Sequence, residues 1–253
     1  MIDTNDYVSR QRRFYDERAH DHLQVRSDDL YARNLVDHLA DRLGIGPSDR
    51  VLEVGAGFGR FTFPLLERCG SVVCVDLSEV TLARLEEERD ARGIPVETCS
   101  VHAANLDELT PDSLGERFTW IVGFFLLHHL SNYSASIDRM TSLMAPEGKM
   151  AFVEPNRRNP LFLLQVMACP DMTWKEEKGM FSLSRKGVEA AYRDAGLEDL
   201  DSHSFGFFPP QIFNRLSVAR KLERRVESLA LAQPLLPFLL MSAGTRNPSE
   251  GQR

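Results

Sequence analysis

The stretch Val51-Leu52-Glu53-Val54-Gly55-Ala56-Gly57-Phe58-Gly59-Arg60-Phe61-Thr62, with Asp76 beyond it, decides how the chain reads. An apolar run rich in branched residues, three glycines at alternate positions and a run ending Phe63-Pro64-Leu65-Leu66 predict a buried strand, a tight loop and a helix. Glycines suit such a loop because side chains there would hold a ligand away from the backbone N–H groups and the helix N-terminus. The expectation is a nucleotide-type cofactor site.

Spacing narrows it. In the dinucleotide fingerprint G-x-G-x-x-G the third glycine lets helix and strand pack closely. Here Gly55 and Gly57 fit, but Arg60 stands in the third place and the extra glycine is Gly59. No G-K-[ST] follows, so a P-loop does not fit. A second apolar run, Val72-Val73-Cys74-Val75, closes on Asp76. A carboxylate at the carboxyl end of that strand can accept hydrogen bonds from both hydroxyls of a ribose, a function common to NAD and S-adenosylmethionine sites. The pattern Glu53-x-Gly55-x-Gly57-x-Gly59 resembles motif I of the class I S-adenosylmethionine-dependent methyltransferases.

That resemblance covers residues 50–155 and implies the cofactor S-adenosyl-L-methionine. It assigns cofactor contacts to Glu53, Gly55, Ala56, Gly57, Gly59, Asp76 and Leu77. After the third strand, near Val96–His102, Asn105 takes the place of the family's usual acid, so Asn105 and Leu106 would meet the adenine, with Asp107 the alternative if the register differs by two. The segment Phe118-Thr119-Trp120-Ile121-Val122 to Leu130 is similar to the family's fourth strand and the turn after it, with Thr119 in place of the usual Asp. It implies that Gly123 and Phe124 line the methionine end. The kinship is with small-molecule enzymes related to those of ubiquinone and menaquinone biosynthesis.

Chain length and pattern agree with one such fold. With 253 residues, 43% hydrophobic and 26% charged, the chain can bury a substantial core. Five strands alternating with helices predict an α/β, doubly wound parallel sheet covered on both faces, and the resemblance implies the full Rossmann-like sheet of seven strands, mostly parallel with the last antiparallel. Residues 1–46 read as helical on the 3.6 spacing of Leu30, Tyr31, Leu35, Val36, Leu39 and Leu43, and the resemblance implies that they form a lid over the cofactor, with Tyr15 and Arg26 as candidate contacts. Residues 47–247 form the methyltransferase domain, and 248–253 a flexible tail. A helix from Ser184 to Ala195 and a strand at 237–243 are expected. Two apolar insertions, 155–183 and 206–236, read as a cap over the acceptor, the second with a helix over Leu216–Leu231.

The net charge of -7 argues against a nucleic-acid partner. Cys69, Cys74, Cys99 and Cys169 lack metal or redox spacing and read as buried thiols. No apolar run of about 20 residues spans a bilayer, and no signal peptide is evident, so a cytoplasmic protein is expected. No metal constellation appears: His20 and His22 would point apart on a helix.

Methyl transfer from a sulfonium needs chiefly positioning, because its leaving group is neutral. An oxygen or nitrogen acceptor also loses a proton, for which His128, His129 and Glu154 are the candidate bases. The expected acceptor is an apolar or aromatic small molecule, and the oligomeric state is open. Two alternatives stand: an NAD-dependent oxidoreductase on a similar sheet, and a non-catalytic lipid-surface protein using Arg220, Lys221, Arg224 and Arg225 beside an apolar face.

Overall fold

A computed structural model describes residues 29–159, 179–229 and 231–245, together with Ser9, Gln11–Arg13 and Asp16. Tyr15, Arg26, His20, His22, Cys169, the centre of the first insertion and the C-terminal tail lie outside the described residues. The described strands form one seven-stranded sheet in the order Cys99–Ala103, Ser71–Asp76, Arg50–Val54, Phe118–Phe124, Met144–Pro155, Phe238–Gly244, Glu198–Phe205. The chain divides into two compact units, Met1–Val122 and Gly123–Arg253.

In the first unit, α1 (Leu30–Leu43) starts where the Asp29 side chain accepts from Ala32 N and ends at Gly44, which is left-handed. Its apolar stripe buries Tyr31, Leu35, Val36 and Leu39. β1 (Arg50–Val54), α2 (Thr62–Leu66), β2 (Ser71–Asp76), α3 (Glu79–Ala91), β3 (Cys99–Ala103), α4 (Pro111–Leu114) and the start of β4 (Phe118–Phe124) follow. β1 pairs in parallel with β2 and β4, and β2 in parallel with β3. The third strand starts at Cys99, later than expected, because the amides of Thr98 and Cys99 turn back onto the Pro95 carbonyl. α2 stops at Leu66, short of the helix expected over Phe61–Arg68, since Glu67–Cys69 bond back in a tight turn.

The second unit holds α5 (Tyr133–Thr141), β5 (Met144–Pro155), α6 (Gly179–Ser182), α7 (Arg185–Asp194), β6 (Glu198–Phe205), α8 (Pro210–Arg215), α9 (Ser217–Glu227) and β7 (Phe238–Gly244). β7 runs antiparallel to both β5 and β6. Ser184 caps α7 through Gly187 N, and the buried Tyr192 hydroxyl donates to Met241 O at 3.1 Å, fastening the helix to the sheet. The helix expected over Leu216–Leu231 is shorter: the extended backbone at Leu216 separates it from α8, and α9 stops at Glu227, whose carbonyl accepts from the Gln233 side chain.

Candidate active site

The glycine loop leaves β1 with Gly55, Gly57 and Gly59 all at positive φ, where only glycine sits without strain. The glycines have different tasks. A Cβ on Gly59 would lie 2.9 Å from Leu85 Cγ and 3.0 Å from Phe63, so Gly59 lets the loop pack against α3. A Cβ on Gly57 would meet nothing within 4 Å. That point of the loop shows bare backbone to open space.

Asp76, at the carboxyl end of β2, holds the loop from the side. Its Oδ2 accepts from Gly57 N at 2.9 Å and its Oδ1 from Ser78 N at 2.9 Å. Burial lifts its carboxyl above the ordinary value, against those backbone donors, which favour the charged form. Ser78 also caps α3 and donates to Asp16 at 2.5 Å, while Arg12 Nε donates to Leu77 O at 2.9 Å. The N-terminal segment thus reaches the turn beside Asp76 through Arg12 and Asp16, two residues the sequence reading did not single out.

Glu53 is placed differently from what the sequence suggested. It is 1% exposed, and its Oε2 accepts from the Thr62 hydroxyl at 2.5 Å. Strands of a sheet covered on both faces bury every side chain, so the acid fastens β1 to α2 beneath the loop instead of opening toward a ligand. Burial pushes its pKa up to about 8. Ala56 is buried, and its amide and that of Gly55 both donate to the Val75 carbonyl. Asn105 caps a short 3-10 turn, its Oδ1 accepting from Asp107 N at 3.2 Å, with Leu106 buried behind it. Arg60, where a dinucleotide site wants glycine, pairs with Asp29 at 2.8 Å.

In the second unit, Gly123 and Phe124 are buried at the end of β4. Phe125 follows in the left-handed region (φ 56), a conformation costing roughly 1–2 kcal/mol for a residue with a Cβ. It is held there by its amide on Val153 O at 2.8 Å and by its ring edge against Phe238, centroids 5.4 Å apart. No compositional signal marks such a residue, and the sequence reading missed it. The strained turn presents the next two amides, Leu126 N and Leu127 N, to Glu154 Oε1 at 2.9 and 2.6 Å. Glu154 Oε2 meets His128 Nδ1 at 2.6 Å.

Glu154 is fully buried and His128 4% exposed, so three donors converge on one enclosed carboxyl group. His129 lies beside His128, ring centroids 4.0 Å apart, and burial together with its neighbour holds its pKa well below the usual 6.5. Gly179 closes the cluster, since a Cβ there would come within 1.8 Å of the His128 carbonyl oxygen. Elsewhere in this unit a cavity of about 600 Å³ has Arg157, Arg158, Arg185 and Lys186 against the single carboxylate Glu189. Among the described residues no group of three or more His, Cys, Asp or Glu is arranged to hold a metal, and no helix is long and apolar enough to cross a membrane.

Comparison with known proteins agrees with this geometry. Residues 52–150 match the methyltransferase domain family. The chain is 29% identical over 121 residues to a ribosomal RNA small subunit methyltransferase A of Streptomyces avermitilis, covering 45% of this chain and 41% of that one. It is 26% identical over 172 residues to a ubiquinone biosynthesis O-methyltransferase of Pseudomonas putida, covering 66% and 71%. The chain spans only 22% to 46% of the length of the ribosomal RNA and glycine/sarcosine/dimethylglycine relatives it matches. Among solved structures, magnesium protoporphyrin IX methyltransferase of Synechocystis with bound SAH superposes with a TM-score of 0.61 at 15% identity, over 95% of this chain and 100% of that one. The seven-stranded sheet and the glycine loop bonded to Asp76 give the chain the fold of the S-adenosylmethionine-dependent methyltransferase structures it superposes on, and residues 52–150 carry the matched methyltransferase domain.

Proposed function

We propose that this protein transfers a methyl group from S-adenosylmethionine to an apolar or aromatic small molecule, at oxygen, carbon or nitrogen. The observation that carries the reading is the bare backbone at Gly57, its N–H bonded to Asp76 Oδ2 and nothing within 4 Å of where a Cβ would stand. That cradle fits the donor's nucleoside: Gly55, Gly57, Asp76 and Leu77 would hold the ribose side, and Asn105 and Leu106 the adenine, with the Asn105 amide N–H groups and a second carbonyl lone pair available to hydrogen-bond it. Bound there, S-adenosylmethionine supplies an electrophilic methyl group on a sulfonium.

The chain's own residues orient the rest. Glu154, enclosed and bonded to two amides and His128, acts as a positioning residue that sets the turn after β4 and the ring of His128. His129 is neutral at physiological pH and able to accept a proton from an acceptor hydroxyl or amine. Near-normal turnover by His128→Ala or His129→Ala would remove that histidine from the mechanism.

A small-molecule acceptor is supported by the net charge of -7, which opposes binding to RNA, although relatives include enzymes named for ribosomal RNA. An NAD-dependent enzyme is disfavoured by Arg60, whose pairing with Asp29 occupies the place of the third glycine. Isothermal titration tests the proposal. S-adenosylhomocysteine should bind, and Asp76→Ala should weaken it by roughly 10- to 100-fold, the loss of charge-assisted bonds to ribose. Tight NADH binding without S-adenosylhomocysteine binding would overturn it.

A further inference from the structure

We infer that the surface formed by α8, α9 and the segment after them docks on an anionic lipid bilayer. Eight of the eleven large apolar side chains exposed among the described residues fall between Phe207 and Leu235. A concentration of that kind in one segment marks an interaction surface, whereas scattered exposed residues do not.

The polarity of α9 is inverted relative to a core-facing helix. At 3.6 residues per turn, Val218, Leu222 and Arg225 lie within about 60° of one another, with Lys221 beside them. Val218 is 64% exposed, and Leu222, Lys221 and Arg225 are exposed with it. The inward face instead carries Ala219, Glu223 and Glu227. Glu223, 2% exposed, accepts from Phe207 N and Phe208 N at 3.2 and 2.9 Å, and Glu227 accepts from Gly206 N at 2.7 Å. The two acids are the only ones between residues 206 and 236, against five bases.

Because both acids are spent on loop amides, the outer face presents leucine, valine and base together. Leu216, Leu229 and Leu231, the last 94% exposed, extend the apolar stripe beyond both ends of α9. Arg215, Lys221 and Arg225 are exposed and make no ion pair among the described residues. A second copy of this chain, with its net charge of -7, would meet this face through apolar contact, but a bilayer bearing anionic headgroups matches both the stripe and its bases. An interfacial helix gains from apolar insertion and from attraction to anionic lipid together, and this face supplies both.

Co-sedimentation of the full chain with vesicles tests the inference. Binding should be strong to phosphatidylcholine vesicles containing phosphatidylglycerol, weak to phosphatidylcholine alone, and reduced by salt. Lys221→Gln with Arg225→Gln should weaken partitioning by roughly 25-fold, fivefold for each base removed. Val218→Asp with Leu222→Asp should abolish it, while the urea midpoint of both double variants stays at the parent value. Absence of binding to anionic vesicles, or equal binding by parent and variants, would overturn the assignment. Self-association that the Asp variants abolish, without vesicle binding, would give the face to a second copy and overturn it equally.

Discussion

Replacing Glu154 tests whether one buried carboxyl group organises the turn after β4. In Glu154→Ala three donors lose their acceptor: Leu126 N, Leu127 N and His128 Nδ1, all bonded within 2.9 Å. Each orphaned buried donor costs about 1–3 kcal/mol, and breaking a buried paired group typically costs about 3–5 kcal/mol. A loss of about 4 kcal/mol is therefore expected. With a urea dependence of about 2 kcal/mol per molar, the midpoint falls by about 2 M. Glu154→Gln keeps an oxygen for the two amides and turns its NH2 toward His128, which must then offer Nδ1 as acceptor and carry its proton on Nε2. Its stability loss should stay within about 1–2 kcal/mol, the scale of one exchanged hydrogen bond. Urea unfolding followed by circular dichroism reads both variants. An Ala variant losing less than about 1 kcal/mol, or a Gln variant losing as much as Ala, would refute the idea that these three bonds hold the turn.

Three further outcomes follow from the same structure. Glu53 in the folded protein titrates near 8 against an ordinary 4.5, so the folded state keeps a proton that the unfolded chain releases. Stability should fall as pH rises from about 4.5 to about 8, by up to about 1.4 kcal/mol per unit, and flatten above. Unfolding titrations of Glu53→Gln across that range should lack this component, and an unchanged slope would count against it. Gly59→Ala, forced against Leu85 and Phe63, should lower the melting temperature more than Gly57→Ala, whereas Gly57→Ala should chiefly weaken S-adenosylhomocysteine binding in calorimetry. Gly179→Ala must push α6 off the His128 carbonyl, an overpacking worth about 1–3 kcal/mol by thermal unfolding.

Much of the sheet was legible because its signals are local. Branched apolar runs gave β1 and β2, Ser184 and Gly196 bracketed α7, and the glycine spacing gave the loop. The roles of the glycines were less legible. Gly57 and Gly59 look equivalent in sequence, yet one faces open space and the other faces Leu85, a residue some 26 positions downstream on α3. Glu53 shows the same limit, since a sequence records an acid on a strand but not that Thr62 waits beneath it.

The second unit shows why periodicity alone misdirects. Leu216, Val218, Leu222, Val226 and Leu229 read as the apolar face of one long helix in a cap over the acceptor, but periodicity identifies a face without saying which way it turns. Direction follows the acids: the loop at 206–208 offers three backbone N–H groups, and Glu223 and Glu227, one turn apart on α9, accept from them. Bonds from these part-buried amides to charged carboxylates, each worth about 1.5–3 kcal/mol, offset the apolar area that the outward stripe leaves in water. The helix therefore rotates its acids inward. Its apolar stripe faces outward as a consequence, and the same demand for acceptors, met by Glu154 at Leu126 and Leu127, fixes the turn that carries His128.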